Sequence, residues 1–329
     1  MIITRTPFRI SFCGGGSDLP AFYEKHGGCV LSTTINKYMY IAIHPSFYYD
    51  TTVLKYSQTE TVKSYDEIKH KYFRRVLEDV QVKGIEIASM ADVPAGTGLG
   101  SSSSFLVGLL HALYTYKREF VSKERLASEA CLTEIRKLGE PIGKQDQYSA
   151  AYGGLNYYTF NRDGSVFVEP VILAPESYHK FVKNLMMFYT CDVRSASSIL
   201  KEQSKNITAG EKEANQIKMC ELTQYLRNGL QKNDIGVMGE VLKEGWKLKK
   251  TLAAGISNPT IDEVYDKAIK NGAWGGKLLG AGGGGFLLFY VPEKSQNRVR
   301  AAVNLQELKV SFDHQGSTII YVGPDIDIR

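Results

Sequence analysis

The chain has 329 residues, 43% of them hydrophobic and 23% charged, which is enough for two domains around a sizeable core. A formal net charge of +5 suits anionic small molecules but, with no block of like charges, argues against a nucleic-acid-binding tail. No apolar run approaches the ~20 residues of a membrane span, and Met1-Ile2-Ile3-Thr4-Arg5 turns polar too early for a signal peptide. Five scattered cysteines without a Cys-x-x-Cys pair fit reduced thiols, so a cytoplasmic protein without disulfides or structural zinc is expected.

In chain order, Ile2 to Phe12 and Thr33 to Ile43 are rich in β-branched and aromatic residues and read as strands. The first runs into Gly14-Gly15-Gly16-Ser17-Asp18-Leu19-Pro20, three glycines followed by a carboxylate that is also a good helix start. Gly84 to Ser89 alternates like a strand, and Phe105 to Tyr114 reads as the opening of a buried helix. Lys123 to Leu138, with Ser122 before it and Gly139 after it, has a helix start, an apolar stripe and a glycine stop. Gly143-Lys144-Gln145-Asp146-Gln147 then sets a carboxylate between amides, and Leu155 to Phe160 and Val166 to Val171 bracket a hairpin turn at Asn161-Arg162-Asp163-Gly164. Beyond Pro170 and Pro175 come a strand at Leu185 to Thr190, helical patterns across 195–254 and a helix at Pro259 to Lys270. A strand at 286–291, a helix near 295–306 and a strand pair around His314-Gln315-Gly316 complete the chain. Strands and helices do not alternate strictly, so two α+β domains are predicted, 1–175 and 176–329, in preference to a doubly wound parallel sheet.

The most informative stretch is Pro94-Ala95-Gly96-Thr97-Gly98-Leu99-Gly100-Ser101-Ser102-Ser103-Ser104, lying between the strand at 84–89 and the helix from 105. Glycines at alternate positions let the backbone approach a ligand closely. Unpaired N–H groups and the dipole of the helix that follows attract anions, so a phosphate chain is the natural ligand. The segment is not a P-loop, because no lysine stands between Pro94 and Lys117. The one Gly-x-Gly-x-x-Gly match, Gly280 to Gly285, precedes the strand-like Phe286 to Val291 and so lacks a dinucleotide-binding context. Gly282 and Gly283 in that run offer backbone alone, either for packing on the phosphate loop across a cleft or as a β-bulge. The six histidines have no metal-ligand spacing, and His111, inside an apolar helix, reads as a satisfied core residue.

Taken together, the Gly14–Pro20 segment, the 94–104 loop, Gly143–Gln147 and Lys277 to Phe289 resemble the GHMP small-molecule kinases over nearly the whole chain. Within them the chain is most similar to the D-glycero-D-manno-heptose 7-phosphate kinase group, related to fucokinases, on Arg9-Ile10-Ser11 with Gly14 to Pro20, His26-Gly27-Gly28 and Gly143 to Gln147. Gly14 to Leu19 departs from the Gly-Glu-His-Thr-Asp-Tyr-like segment of galactokinases, which argues against galactose. The resemblance implies a ribosomal protein S5 domain 2-like N-terminal domain and a ferredoxin-like C-terminal domain, with the active site in the cleft between them. It further implies ATP and Mg²⁺ as cofactors and phosphorylation of the anomeric hydroxyl of a heptose 7-phosphate. A kinase for a free sugar such as L-fucose or galactose, or a non-catalytic sugar and ATP sensor, stands as the alternative. The partner is then a small-molecule sugar phosphate, with no nucleic acid or membrane, in a monomer or homodimer.

Residue by residue, the resemblance assigns ATP to Pro94, Gly96, Gly98, Leu99, Gly100, Ser101, Ser102 and Ser103. A hydroxyl of Ser102 or Ser103 is expected to reach Mg²⁺, although each serine would also suit a helix cap. Asp146 is the candidate general base and Arg9 the countercharge beside it. Glu134 shares a helical stripe with Ala127, Cys131 and Leu138, and is either a Mg²⁺ ligand or a stripe-edge partner of Arg136 or Lys137. Sugar hydroxyls fall to Gly15, Gly16, Ser17 and Asp18, with Asp18 also a candidate helix cap. The substrate phosphate falls to Lys144 or Arg194, with arginine favoured for its bidentate geometry.

Overall fold

The computed structural model describes residues 1–190, 196–208 and 212–324. The first half runs β1 (Ile2–Cys13), α1 (Pro20–His26), β2 (Gly28–Pro45), β3 (Thr52–Lys55), β4 (Thr59–Val62), α2 (Lys71–Val80) and β5 (Ile85–Ala91). It continues with α3 (Ser101–Tyr116), α4 (Lys123–Cys131), α5 (Gln145–Tyr152), β6 (Leu155–Phe160) and β7 (Val166–Pro170). The second half contributes α6 (Pro175–Lys183), β8 (Leu185–Tyr189), α7 (Ala196–Thr208), α8 (Glu213–Gln231), α9 (Val237–Lys250), α10 (Pro259–Lys270), β9 (Gly275–Leu278), β10 (Phe286–Tyr290) and α11 (Glu293–Val303). Two short strands follow, β11 (Phe312–Asp313) and β12 (Thr318–Val322).

The large sheet is organised by the 18-residue β2, which pairs with β1 through 31–43, with β5 through 39–45 and with β6 through 28–33. Among its pairings only β3 with β5 is parallel. One register shift in the β1–β2 ladder falls at Pro7, which has no N–H to donate. The freed Pro7 carbonyl accepts from Ser104 Oγ at 2.9 Å, tying the first turn of α3 to the middle of β1. α3 is apolar nearly all round and lies buried on the sheet, where Gly108 lets it approach: a Cβ there would stand 2.8 Å from Thr6 Oγ1.

The second sheet, ordered β8-β10-β9, is antiparallel, and the edge of β8 is extended by backbone bonds from Tyr189 N to Gln306 O and from Leu308 N to Met187 O. Alternate residues of β10 serve different cores: Phe286, Leu288 and Tyr290 join the large core of the first half, whereas Leu287 and Phe289 join a second one around Trp246 and Val299. The two halves are therefore packed through one shared sheet.

Two expectations change. The strands around His314–Gly316 do not form a hairpin: Asp313 Oδ1 accepts from the N–H groups of Gln315 and Gly316, both 3.0 Å, and turns the chain so that β11 joins β2 and β12 joins β1. Residues 312–322 thus belong to the first sheet although they lie beyond the 175/176 divide. The helix from Lys123 does not continue regularly to Leu138 but widens into a π-helical turn over Leu132–Lys137, closed by Leu138 N to Thr133 O, and Gly139 ends it at φ 66°. Asp146 stands in the first turn of α5.

Candidate active site

The head of α3 carries no side-chain cap. Gly100, its N-cap residue, sits in the left-handed region at φ 76°, and the expected cap bonds from the serines are not made. Ser103 and Ser104 turn inward to Glu134 and Pro7, leaving Ser101 and Ser102 on the wall of a cleft of about 700 Å³. The loop before the helix is held from behind. Arg9 N donates to Leu99 O at 3.0 Å, Arg9 Nη1 donates to Gly98 O, and Leu99 is buried in the core. From the other side Gly280 packs on it so closely that a Cβ there would stand 2.5 Å from the Gly98 Cα, and one at Gly285 would stand 2.3 Å from Thr97 O. The second glycine run therefore abuts the first across the cleft, as one of its two readings anticipates.

Asp146 faces this head. Its Oδ1 and Oδ2 accept from Arg9 Nε at 2.8 Å and Nη2 at 2.9 Å, a bidentate pair with side chains 22% and 6% exposed. A Cβ at Gly100 would lie 3.2 Å from Asp146 Oδ2, so the carboxylate stands directly against the uncapped helix start. Both residues line the cleft.

Glu134 is fully buried beneath the same helix. Its carboxylate accepts from Ser103 Oγ (2.7 Å), Gln147 Nε2 (2.6 Å) and Tyr72 Oη (3.1 Å), and burial pushes its pKa up to about 7 against these hydrogen bonds. Arg136 and Lys137 do not pair with it; they reach Glu24 and Asp79. Glu134 is not itself on the cleft wall, but Ser102, which is, hydrogen-bonds to its carboxylate, so the two form a hard-oxygen pair that could hold Mg²⁺. Among the described residues no three His, Cys, Asp or Glu side chains gather as a self-contained metal site.

The remaining expected residues divide. Gly96, Gly98, Gly100, Gly15, Gly16, Asp18 and Gly282 line the cleft. Asp18 does not cap α1; its oxygens accept from Gly16 N (2.9 Å) and Gln145 N (3.1 Å), fixing the triple-glycine turn to α5, and burial raises its pKa. Ser17 is off the cleft, because its hydroxyl exchanges hydrogen bonds with the Cys29 carbonyl and N–H in the sheet interior. Pro94 and Gly283 are likewise spent on structure, Pro94 O accepting from Thr97 Oγ1 and Gly283 N donating to Ile256 O. Lys144 is turned away: its ammonium donates to Gly164 O in the β6–β7 turn and lies over the Tyr23 ring, so it has no place on the cleft wall. Arg194 lies outside the described residues. His111 is the satisfied core residue expected, its Nδ1 3.0 Å from Ser317 Oγ and its pKa pushed down to about 4 by burial.

Several cleft residues were not anticipated. Met39, Tyr56, His70, Tyr72, Met90 and Phe105 make one end of it apolar and aromatic, while Ser11 and Gln145 put buried, unpartnered oxygens into the end nearest Gly15. Lys249 and Lys277 line it as well, and a lone lysine in the apolar run Gly275 to Leu279 is the sequence signal for the second.

Residues 64–154 match the GHMP kinases N terminal domain and residues 226–307 match the GHMP kinases C terminal, together more than half of the chain. The chain belongs to the GHMP kinase family. It is 29% identical over 318 residues to a D-glycero-alpha-D-manno-heptose 7-phosphate kinase of Campylobacter jejuni, covering 91% of this chain and 92% of that one. A galactokinase of Pyrococcus furiosus is 25% identical over 348 residues, with 94% of each chain covered. Among solved structures, a D-glycero-D-manno-heptose 1-phosphate kinase from Bacteroides thetaiotaomicron superposes with a TM-score of 0.80 at 25% identity, covering 98% of this chain and all of that one. This GHMP protein is accordingly a sugar kinase with the family's two-part α+β fold, and no helix of its described residues is long and apolar enough to cross a membrane.

Proposed function

We propose that this kinase transfers the terminal phosphoryl group of ATP, with Mg²⁺, to the anomeric hydroxyl of a heptose 7-phosphate. The observation that carries the reading is the uncapped head of α3 standing directly against the Arg9–Asp146 pair. N–H groups of the 96–102 segment hold the nucleotide phosphates, and the aromatic end of the cleft takes the base. Asp146 accepts the proton of the attacking hydroxyl, and Arg9 fixes the carboxylate in position and places positive charge beside the phosphoryl group in flight. Ser102 and Glu134 would hold Mg²⁺, which would supply charge neutralisation of the phosphates. Gly15, Gly16 and Asp18, with the open oxygens of Ser11 and Gln145, meet the sugar hydroxyls. The heptose assignment draws on the Campylobacter relative. Coupled ADP-release assays with heptose 7-phosphate, L-fucose and galactose test it: turnover is expected with the first, and equal kcat/KM for a free sugar overturns the phosphate requirement.

A further inference from the structure

Lys249 of α9 and Lys277 of β9 both line the cleft, yet they are only 7% and 6% exposed. Lys249 Nζ donates to the carbonyls of Leu278 (3.1 Å) and Gly280, and Lys277 Nζ to those of Ser11 (2.8 Å) and Phe12 (3.2 Å). An ammonium group has three N–H donors, so each lysine keeps one beyond these carbonyls. Neither pairs with a carboxylate among the described residues. Lys277 and Arg9 act on Lys249, Arg9 and the Cys13 sulfur act on Lys277, and Arg9 is already bound to Asp146. Burial accordingly holds Lys249 well below the usual ammonium range and Lys277 down to about 8.

Carbonyl oxygens alone are poor compensation for two desolvated cations side by side. Struts between strands need no charge, and a cleft wall is where an anion arrives. We propose that Lys249 and Lys277 form a phosphate subsite, each donating its remaining N–H to one dianionic group. Lys249 is joined to Gly280, which packs on Gly98 of the nucleotide loop, whereas Lys277 is joined to the strand end that leads into Gly14–Asp18. The pair thus spans the nucleotide and acceptor sides. The same chemistry serves either the acceptor sugar's own phosphate or the terminal phosphate of the nucleotide. In the first case the pair takes the role expected of Lys144, and the proposal rests on the kinase reading for the ligand's origin alone.

Sulfate titrated calorimetrically into the full chain saturated with MgADP provides the test. One sulfate is expected to bind, with Lys249→Met and Lys277→Met each weakening it by about 10- to 100-fold, the range of charge-assisted hydrogen bonds. Lys247→Met, on the exposed face of α9, leaves it unchanged. Repeating the titration with a non-hydrolysable ATP analogue separates the sources: retained binding assigns the acceptor's phosphate, and competition assigns the nucleotide's. Should the methionine variants not fold, the wild type still decides, because sulfate keeps its charge between pH 7 and 9.5 and its affinity falls as Lys277 deprotonates near pH 8. Absence of sulfate binding, wild-type affinity in both folded variants, or pH-independent affinity overturns the proposal. If no sugar supports ADP release, the heptose reading fails while the sulfate result stands.

Discussion

Replacing Asp146 with asparagine probes both chemistry and stability at one position. The variant keeps the size of the side chain but loses the charge that meets Arg9 Nε and Nη2 at 2.8 and 2.9 Å. Arg9, 6% exposed at its side chain, is left with the Gly98 carbonyl as its acceptor. Breaking a fully buried pair costs about 3–5 kcal/mol, and with Asp146 22% exposed a discount to about 1–3 kcal/mol is appropriate. Urea unfolding monitored by circular dichroism reads that loss. If the carboxylate is also the base, kcat in a coupled ADP-release assay drops by about 10²–10⁴ with KM for ATP changed little. A kcat within about threefold of wild type, in a protein destabilised as calculated, refutes the base assignment and leaves Asp146 as an anchor of Arg9.

Other perturbations address separate parts of the site. Glu134, with its pKa raised from 4.5 to about 7, is destabilising once the unfolded chain ionises, so its penalty grows from pH 4.5 to about 7 and stays at higher pH. Glu134→Gln is therefore expected to gain up to about 3 kcal/mol over wild type at pH 8 and little at pH 4.5, while its Mg²⁺ activation constant rises. Thermal melts across that range check the first point, and a pH-independent difference counts against it. Gly98→Ala forces a Cβ into a residue at φ 83° and to 2.7 Å from Leu279 O. About 1–3 kcal/mol of destabilisation and a raised KM for ATP are expected, measured by denaturation and steady-state kinetics. Lys144→Met, by contrast, leaves KM for heptose 7-phosphate within about twofold, since that ammonium serves Gly164 and Tyr23; a larger rise would return the residue to the cleft.

The site was legible where chemistry is written in contiguous residues. Alternating glycines before Ser101 announced a backbone turn that lies open to the cleft, and the 4-3-4 spacing of Ala127, Cys131, Glu134 and Leu138 turned Glu134 inward, where it lies. Ser122 as a cap of α4, accepting from Arg125 N at 3.1 Å, and the Asn161–Gly164 turn were legible for the same reason. What periodicity could not supply is partnership across long sequence separations. Ser17 reads as a loop hydroxyl beside Asp18 until the backbone of Cys29 is seen to hold it, and Lys144 reads as a free cation until the β6–β7 turn folds over it. Lys249 stands in the last turn of α9 beside Lys247 and Lys250, with no sequence signal of its own. Only the packing of α9 under β9 removes it from water.

The ladder joining Ile2 to Val322 and Arg5 to Thr318 closes a ring through almost the whole polypeptide. During synthesis the outer edge of β1 has no neighbour until residues 318–322 emerge from the ribosome, long after residues 94–104 have been made. A fragment covering only the first half keeps every residue of the 94–104 loop but presents an open strand to other nascent chains, and is expected to self-associate.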